Sequence, residues 1–256
     1  MKLLIILLIF IIWVVFIEPY ILTVKTVKIQ DPQLAGLKIV FATDLHYKKY
    51  EKFRLKRDVK KINAQNPDII LLGGDFVNGH KQGSALDYDV IGGELGKLNS
   101  KYGTFAVLGN HDVWQNAAEI SENLKKNNVT VLNNSSAKAG KVYIAGVEDL
   151  QTQNPDIEKA LKNTKQPVIL LTHTPDVIEK VPENVNLTLA GHLHGGQVNF
   201  PFHGAITAPS KYGTKYAYGM FDVKGRKLFV SRGIGTSILP IRFLCPPEIV
   251  VIEFEE

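Results

Sequence analysis

Short apolar runs recur along the chain at 39–42, 69–72, 105–108, 142–145, 168–171, 187–190, 228–230 and 249–254. Most lack polar alternation, which predicts strands buried on both faces. Between them the apolar positions fall at helical spacing. Leu55, Val59 and Ile62 form one stripe, Leu86, Val90, Ile91, Leu95 and Leu98 a second, and Ile120 and Leu124 lie in a third. A capping residue followed by proline, at Asn154-Pro155 and Thr174-Pro175, predicts two further helix starts. Strand and helix alternate, which is the order of an α/β fold. After Gly195 the chain turns Gly-, Pro- and Tyr-rich, then shows turn signals such as KGRK at 224–227, predicting antiparallel strands and long loops. No repeat or low-complexity linker divides this pattern, so it reads as one domain over residues 37–256.

The N-terminus breaks the pattern. Residues 3–17 are all apolar, followed by Glu18, Pro19 and the apolar trio Tyr20, Ile21, Leu22. Twenty helical residues reach roughly 30 Å, one hydrocarbon thickness, with Glu18 near enough to the end to sit in the interface. A cleaved signal peptide would begin similarly, but no small-x-small site follows Ile17. Residues 1–24 are therefore expected to form a retained single-pass anchor in the cell membrane. Lys25, Lys28 and Lys38 outweigh Lys2, and this charge balance leans toward a cytoplasmic catalytic domain.

Composition narrows the chemistry. An apolar content of 45% in 256 residues is enough to bury a substantial core. The single cysteine, Cys245, excludes an intramolecular disulfide and a Cys-rich zinc cluster, so any metal must use histidine, carboxylate or amide ligands. The net charge of +5 is modest, but residues 48–61 hold eight Lys or Arg against two acids. That segment is either a solvated helix face or a surface that meets anionic lipid or a phosphorylated substrate. Nothing in the sequence points to a specific nucleic acid or an obligate protein partner.

Polar residues gather where the strands end. The run 39–42 is followed by Asp44 and His46, 69–72 by Asp75, and 105–108 by Asn110, His111 and Asp112; 168–171 leads to His173, and 187–190 to His192 and His194. Ligand sites in open α/β sheets lie beyond the carboxyl ends of strands. Five of the seven histidines fall at these ends, and only His80 and His203 lie elsewhere. In extended backbone, residues i and i+2 share a face, so His192 with His194, and Asp44 with His46, are expected to address one centre.

DLH at 44–46, GGDFVN at 73–78, GNHD at 109–112, His173 in LLTHTPD and GHLHGG at 191–196 resemble, in order, the blocks of the calcineurin-like metallophosphoesterase superfamily. The N-terminal apolar segment and the closing SRGIGTSILPIRFLCPPEI resemble its small membrane-associated bacterial phosphodiesterases, a subgroup that includes a UDP-2,3-diacylglucosamine pyrophosphatase. The resemblance implies a four-layer αββα sandwich and two divalent metal ions. The first would be held by Asp44, His46, Asp75 and His194, the second by Asp75, Asn110, His173 and His192, and His111 would be catalytic, donating a proton to the leaving oxygen or stabilising it.

Two carboxylates against two divalent ions leave the site positive by two charges. A metal-activated hydroxide and a phosphodiester monoanion would neutralise it, so a diester or pyrophosphate substrate is expected. Imidazole and carboxylate ligands suit Mn, Fe or Zn. The arginine with which protein-phosphatase relatives follow the third block is absent after Asp75; Arg232 or Lys211 are candidates to replace its charge, and Asn78 is expected to support the site without touching metal. Asp112 is expected to orient His111 or to cap a helix at the surface. His80 reads as a surface loop residue and His203 as structural, while Trp114, Tyr212, Tyr216 and Tyr218 either line a cleft or pack. Expected substrates are a membrane or nucleotide-linked lipid such as UDP-diacylglucosamine or, alternatively, a soluble cyclic nucleotide. A different class, a non-catalytic membrane module binding anionic polymer through residues 48–61, leaves the ordered ligand candidates unused.

Overall fold

The computed structural model describes residues 1–80 and 83–256. In chain order it contains α1 (Lys2–Ile12), β1 (Thr23–Gln30), β2 (Lys38–Ala42), α2 (Lys52–Asn63), β3 (Ile69–Leu72), α3 (Tyr88–Leu95), β4 (Thr104–Ala106) and α4 (Asn110–Lys126). Then follow β5 (Val129–Val131), β6 (Ser135–Ala139), β7 (Val142–Gly146), α5 (Ile157–Leu161), β8 (Val168–Leu171) and β9 (Leu187–Ala190). The last part holds β10 (Asn199–Phe200), β11 (Gly204–Ala205), β12 (Gly219–Val223), β13 (Arg226–Val230) and β14 (Glu248–Glu255).

Two six-stranded sheets carry the fold, in the orders β1-β14-β2-β3-β4-β5 and β12-β13-β9-β8-β7-β6. Their facing surfaces interlock through Phe41, Leu71, Phe105, Ile169, Leu189 and Phe229, all buried. Helices α2, α3 and α4 cover the outer face of the first sheet through Leu55, Ile91 and Ile120, and α5 with the 3-10 segment Pro175–Lys180 covers that of the second. The result is the four-layer αββα sandwich. Burying one such Leu or Phe side chain between the sheets contributes about 1.5–3 kcal/mol. Strands β2, β3 and β4 are parallel neighbours in one sheet and β8 and β9 in the other, so the loops after all five open at one end of the sandwich.

The apolar runs became strands close to where the pattern places them, with β4 ending at Ala106 instead of 108. Strand β1, which lies before residue 37, pairs in parallel with β14 from Thr23 onward. The helix expected at Asn154-Pro155 begins at Ile157, because Asp156 supplies the cap by accepting the Lys159 N–H. The segment after Thr174 is 3-10, and the Thr174 hydroxyl donates to Asp149 instead of capping it.

Helix α1 continues through a π-helical turn, Trp13–Ile17, and a 3-10 turn, Glu18–Tyr20. Together Lys2–Tyr20 is long and apolar enough to cross a membrane. Its second half is docked on the domain. Phe10 meets Phe243 edge-on at 5.2 Å, the Val14 carbonyl accepts the Arg242 N–H at 2.9 Å, and Glu18 is buried, accepting from Trp13 Nε1 and the Cys245 N–H. Glu18 is thus held against protein and does not sit free in an interface.

Candidate active site

The ligand candidates are aimed by backbone twist. Asp44, His46, Asp75, His192 and His194 all have left-handed φ, between 45° and 70°. The expectation of extended backbone with i and i+2 on one face is therefore corrected: each loop leaves its strand through residues in a conformation that Asp and His tolerate better than most types. Such strain of order 1–3 kcal/mol per residue persists where the surroundings over-determine it. Here they do. The Asp44 carboxylate accepts from the Thr43 hydroxyl and from the His192 N–H, and Asp75 Oδ1 accepts from the His111 N–H at 2.8 Å. Glycine is required at Gly191, where a Cβ would lie 2.3 Å from Asp44 Oδ2, and at Gly109, where it would lie 2.2 Å from Asp75 Oδ1.

All eight predicted site residues meet at this end of the sandwich, every one of them buried. In the first group, His46 Nε2 lies 3.1 Å from His194 Nε2, 3.4 Å from Asp75 Oδ2 and 4.0 Å from Asp44 Oδ1, while His194 Nε2 is 3.3 Å from Asp44 Oδ1. In the second, His173 Nε2 lies 3.1 Å from Asn110 Oδ1 and 3.3 Å from Asp75 Oδ2, with the His192 ring 5.0 Å away. One oxygen, Asp75 Oδ2, faces both groups.

The donor set suits cations. Asp44 Oδ1, Asp75 Oδ2 and two imidazole nitrogens crowd within a few ångströms with at most a shared ring proton among them, an arrangement of lone pairs that buried groups adopt when a metal satisfies them. Burial holds His46 and His194 well below the ordinary value of 6.5, and burial with the neighbouring His173 lowers His192, so all three stay neutral and ready to bind metal. His173 differs. Burial opposes its charge, but contact with Asp75 raises it well above 6.5 and holds Asp75 well below the carboxylate range. Its Nδ1 faces the Gly73 carbonyl at 2.8 Å, which fixes that nitrogen as a donor and leaves Nε2 toward Asp75.

His111 is oriented the same way, its Nδ1 facing the Gly79 carbonyl at 3.1 Å. Its Nε2 meets the Ser237 hydroxyl at 3.2 Å. Asp112 does not orient that ring; it caps the start of α4, as the alternative expected, but from the interior and not at the surface. It is fully buried and accepts the N–H groups of Asp75, Phe76 and Gly109, clamping two of the loops together; burial and the Asp75 charge push it up to about 7, against the pull of those donors.

A cavity of about 440 Å³ opens over the centre, reaching Asp75, Asn110, His111, His192 and His194. Its outer wall is apolar, with Val198, Ile206, Ile238, Leu239 and Ile241. His80 is an exposed loop residue, as expected, but its ring also lines this cavity and packs against both His111 and Trp114, which touch each other, and Trp114 lines it too. Arg232 and Lys211 do not line it: Arg232 lies over the Tyr218 ring, and Lys211 lies over Tyr212 beside Glu179. Tyr212 and Tyr216 pack on each other, and Tyr218 bonds Lys25 and Glu248. The Asn78 carbonyl accepts from Ser84 and Gln115, and His203 is exposed in a turn.

Sequence reasoning missed Ser237 and Arg242, both in the run SRGIGTSILPIRFLCPPEI. The fully buried Arg242 guanidinium donates to the carbonyls of Arg232, Gly233, Gly235 and Cys245, folding that run so that Gly233 backs onto Asp44 and Gly235 onto His46. The Gly-Ile-Gly spacing was its only visible signal.

Comparison with known proteins gives the same reading. The profile of the calcineurin-like phosphoesterases matches residues 37–196. The chain is 36% identical over 226 residues to the metallophosphoesterase YkuE of Bacillus subtilis, covering 84% of this chain and 78% of that protein. It is 34% identical to the metallophosphoesterase Cj0846 of Campylobacter jejuni over 91% of its own length but only 63% of that longer protein. It is also 32% identical to the phosphodiesterase YaeI of Escherichia coli, over 86% of this chain and 82% of the other. The strand-end blocks, the two-sheet sandwich and these matches together establish that the chain belongs to the calcineurin-like phosphoesterases, metal-dependent hydrolases that use two divalent cations.

Proposed function

We propose that this enzyme hydrolyses a phosphodiester or pyrophosphate bond in a membrane-borne substrate, such as a nucleotide-linked lipid. The observation that carries the reading is the buried cluster in which Asp75 Oδ2 faces both His46 and His173 beneath a cavity with an apolar outer wall. In this reading Asp44, His46, Asp75 and His194 hold one divalent cation, and Asp75, Asn110, His173 and His192 the other. When bound, such a pair polarises phosphoryl oxygens and lowers the pKa of water. His111 does the proton work: its Nδ1 is directed at the Gly79 carbonyl, and its Nε2, which meets the Ser237 hydroxyl, is the nitrogen that would face the leaving oxygen. Among the described residues no lysine or arginine lines the cavity, which supports a singly charged diester over a monoester dianion.

The anchor belongs to the same proposal. Residues 1–24 hold the chain to the cell membrane as a single pass, and residues 37–256, with β1 added, form the catalytic domain. The basic helix α2 supports a cytoplasmic placement, since Arg57 donates to the Tyr20 carbonyl and Lys61 to that of Leu22, gathering positive charge where the span ends. The test is a panel of monoesters, diesters, cyclic nucleotides and nucleoside-diphosphate lipids presented to the full chain in detergent, with metal content read by mass spectrometry. Diesters or pyrophosphates should turn over fastest, with two metals bound per chain; monoesters winning would overturn the substrate assignment.

A further inference from the structure

The loops that wall the cavity are themselves exposed and greasy. Ile238 is 91% exposed, Phe202 fully so, and Phe200, Ile206, Leu239 and Leu244 about half. Single exposed apolar residues need no explanation, but a group of this kind marks an interaction surface. Residues 198–221 and 231–247 contain no Asp or Glu. Ile238 and Phe202 also have left-handed backbone, φ 61° and 65°, which is costly for a β-branched or bulky residue and thrusts both outward.

Position relative to the span says what covers this surface. Phe243 touches Phe10, in the middle of the apolar helix, and Phe200 packs on Phe243 at 6.2 Å. The basic residues Arg57 and Lys61 touch carbonyls at Tyr20 and Leu22 instead. Ten residues of helix separate these two levels, roughly 15 Å. A bilayer crossed by Lys2–Tyr20 that places Arg57 and Lys61 among headgroups must therefore contain Phe200, Phe243 and their neighbours within its hydrocarbon edge.

We infer that the segments 198–206 and 237–244 insert into the leaflet beside the anchor as a second membrane contact, so that the catalytic cavity opens into lipid instead of bulk water. Ile206, Ile238 and Leu239 serve both surfaces, lining the cavity and facing outward. The inference rests on reading Lys2–Tyr20 as a membrane span, and it requires nothing of the metals or the reaction.

Because Cys245 is buried and is the chain's one cysteine, an introduced cysteine accepts a label selectively. Full-length Ile6→Cys, Phe202→Cys, Ile238→Cys and Lys165→Cys variants, each carrying an environment-sensitive fluorophore, would be placed in phosphatidylcholine–phosphatidylglycerol vesicles with spin-labelled acyl chains, and quenching compared with that by aqueous iodide. Circular dichroism confirms that each variant is folded, and agreement between positions 202 and 238 guards against a local artefact. The expected result is acyl-chain quenching at 6, 202 and 238 with iodide quenching confined to 165. Quenching by lipid at 6 but by iodide at 202 and 238 overturns the inserted loops and leaves the anchor standing. Shielding of 202 and 238 from both quenchers also overturns them, pointing to a second copy of the chain on that face. Absence of lipid quenching at 6 overturns the anchor and the inserted loops together.

Discussion

The two sides of the catalytic cavity invert the usual partition of residues in opposite senses. The floor buries eight polar or ionisable side chains, from Asp44 to His194, whereas the outer wall exposes Phe202, Ile238 and Leu239. Each inversion is costly in isolation, the first through desolvation and the second through apolar hydration. Each is held by surrounding structure: Asp112 and Arg242 clamp the floor through backbone hydrogen bonds, and the docked N-terminal helix supports the wall. In the proposals above the floor would be rewarded by cations and the wall by lipid, so perturbing one should leave the other intact.

The largest expected effect is at the residue common to both halves of the floor. Asp75→Asn should lose both cations and reduce turnover by more than the about 10²–10⁴-fold typical of removing a general acid. Metal content and activity measured on the same sample check this; retention of two metals would break the bridging role. His111→Ala should fall within that about 10²–10⁴-fold range with metal content unchanged, which separates proton transfer from metal binding. Gly191→Ala places a methyl group against Asp44, and should cost about 1–3 kcal/mol by denaturant unfolding while lowering metal occupancy.

A subtler effect concerns pH in the metal-free chain. His46, His192 and His194 are held below 6.5, so as pH drops beneath that value the unfolded state gains protons that the folded state refuses, and stability falls. His173 is raised, so its contribution is complete below 6.5 and is lost as pH rises through its folded value. Thermal melts in chelator should therefore show highest stability near pH 6.5, declining to either side; a flat profile would contradict the assigned directions. The smallest effect belongs to the wall. Ile238→Ser should change unfolding stability by no more than about 0.5 kcal/mol, because an outward side chain contributes little to the core, whereas Phe41→Ala between the sheets should cost about 3–5 kcal/mol.

The floor was largely legible because its chemistry sits at local sequence features: an apolar run ends and a histidine or aspartate follows. That rule picked out the eight candidate residues that the structure brings together, without their backbone conformation, since nothing in DLH or GHLHG announces left-handed φ beyond residue types that tolerate it. Elements whose identity depends on distant partners were harder. Strand β1 has irregular polarity and is a strand because it pairs with β14 at the far end of the chain; β6, SSAKA, shows almost no apolar signal because it lies on a sheet edge. Ser237, Arg242 and His80 likewise gain their roles from packing between loops remote in sequence. The basic segment 48–61 was visible as charge, but its bonds depend on the fold, from Arg57 and Lys61 to carbonyls at the end of the apolar N-terminal helix and from Arg54 to those of Leu45 and His46.

Anomalous diffraction from crystals of the full chain grown with manganese tests the floor directly. Two peaks are expected, one within bonding distance of Asp44, His46 and His194, the other of Asn110, His173 and His192, with Asp75 touching both. A single peak, or peaks that leave Asp75 without a metal contact, would contradict the shared dinuclear centre.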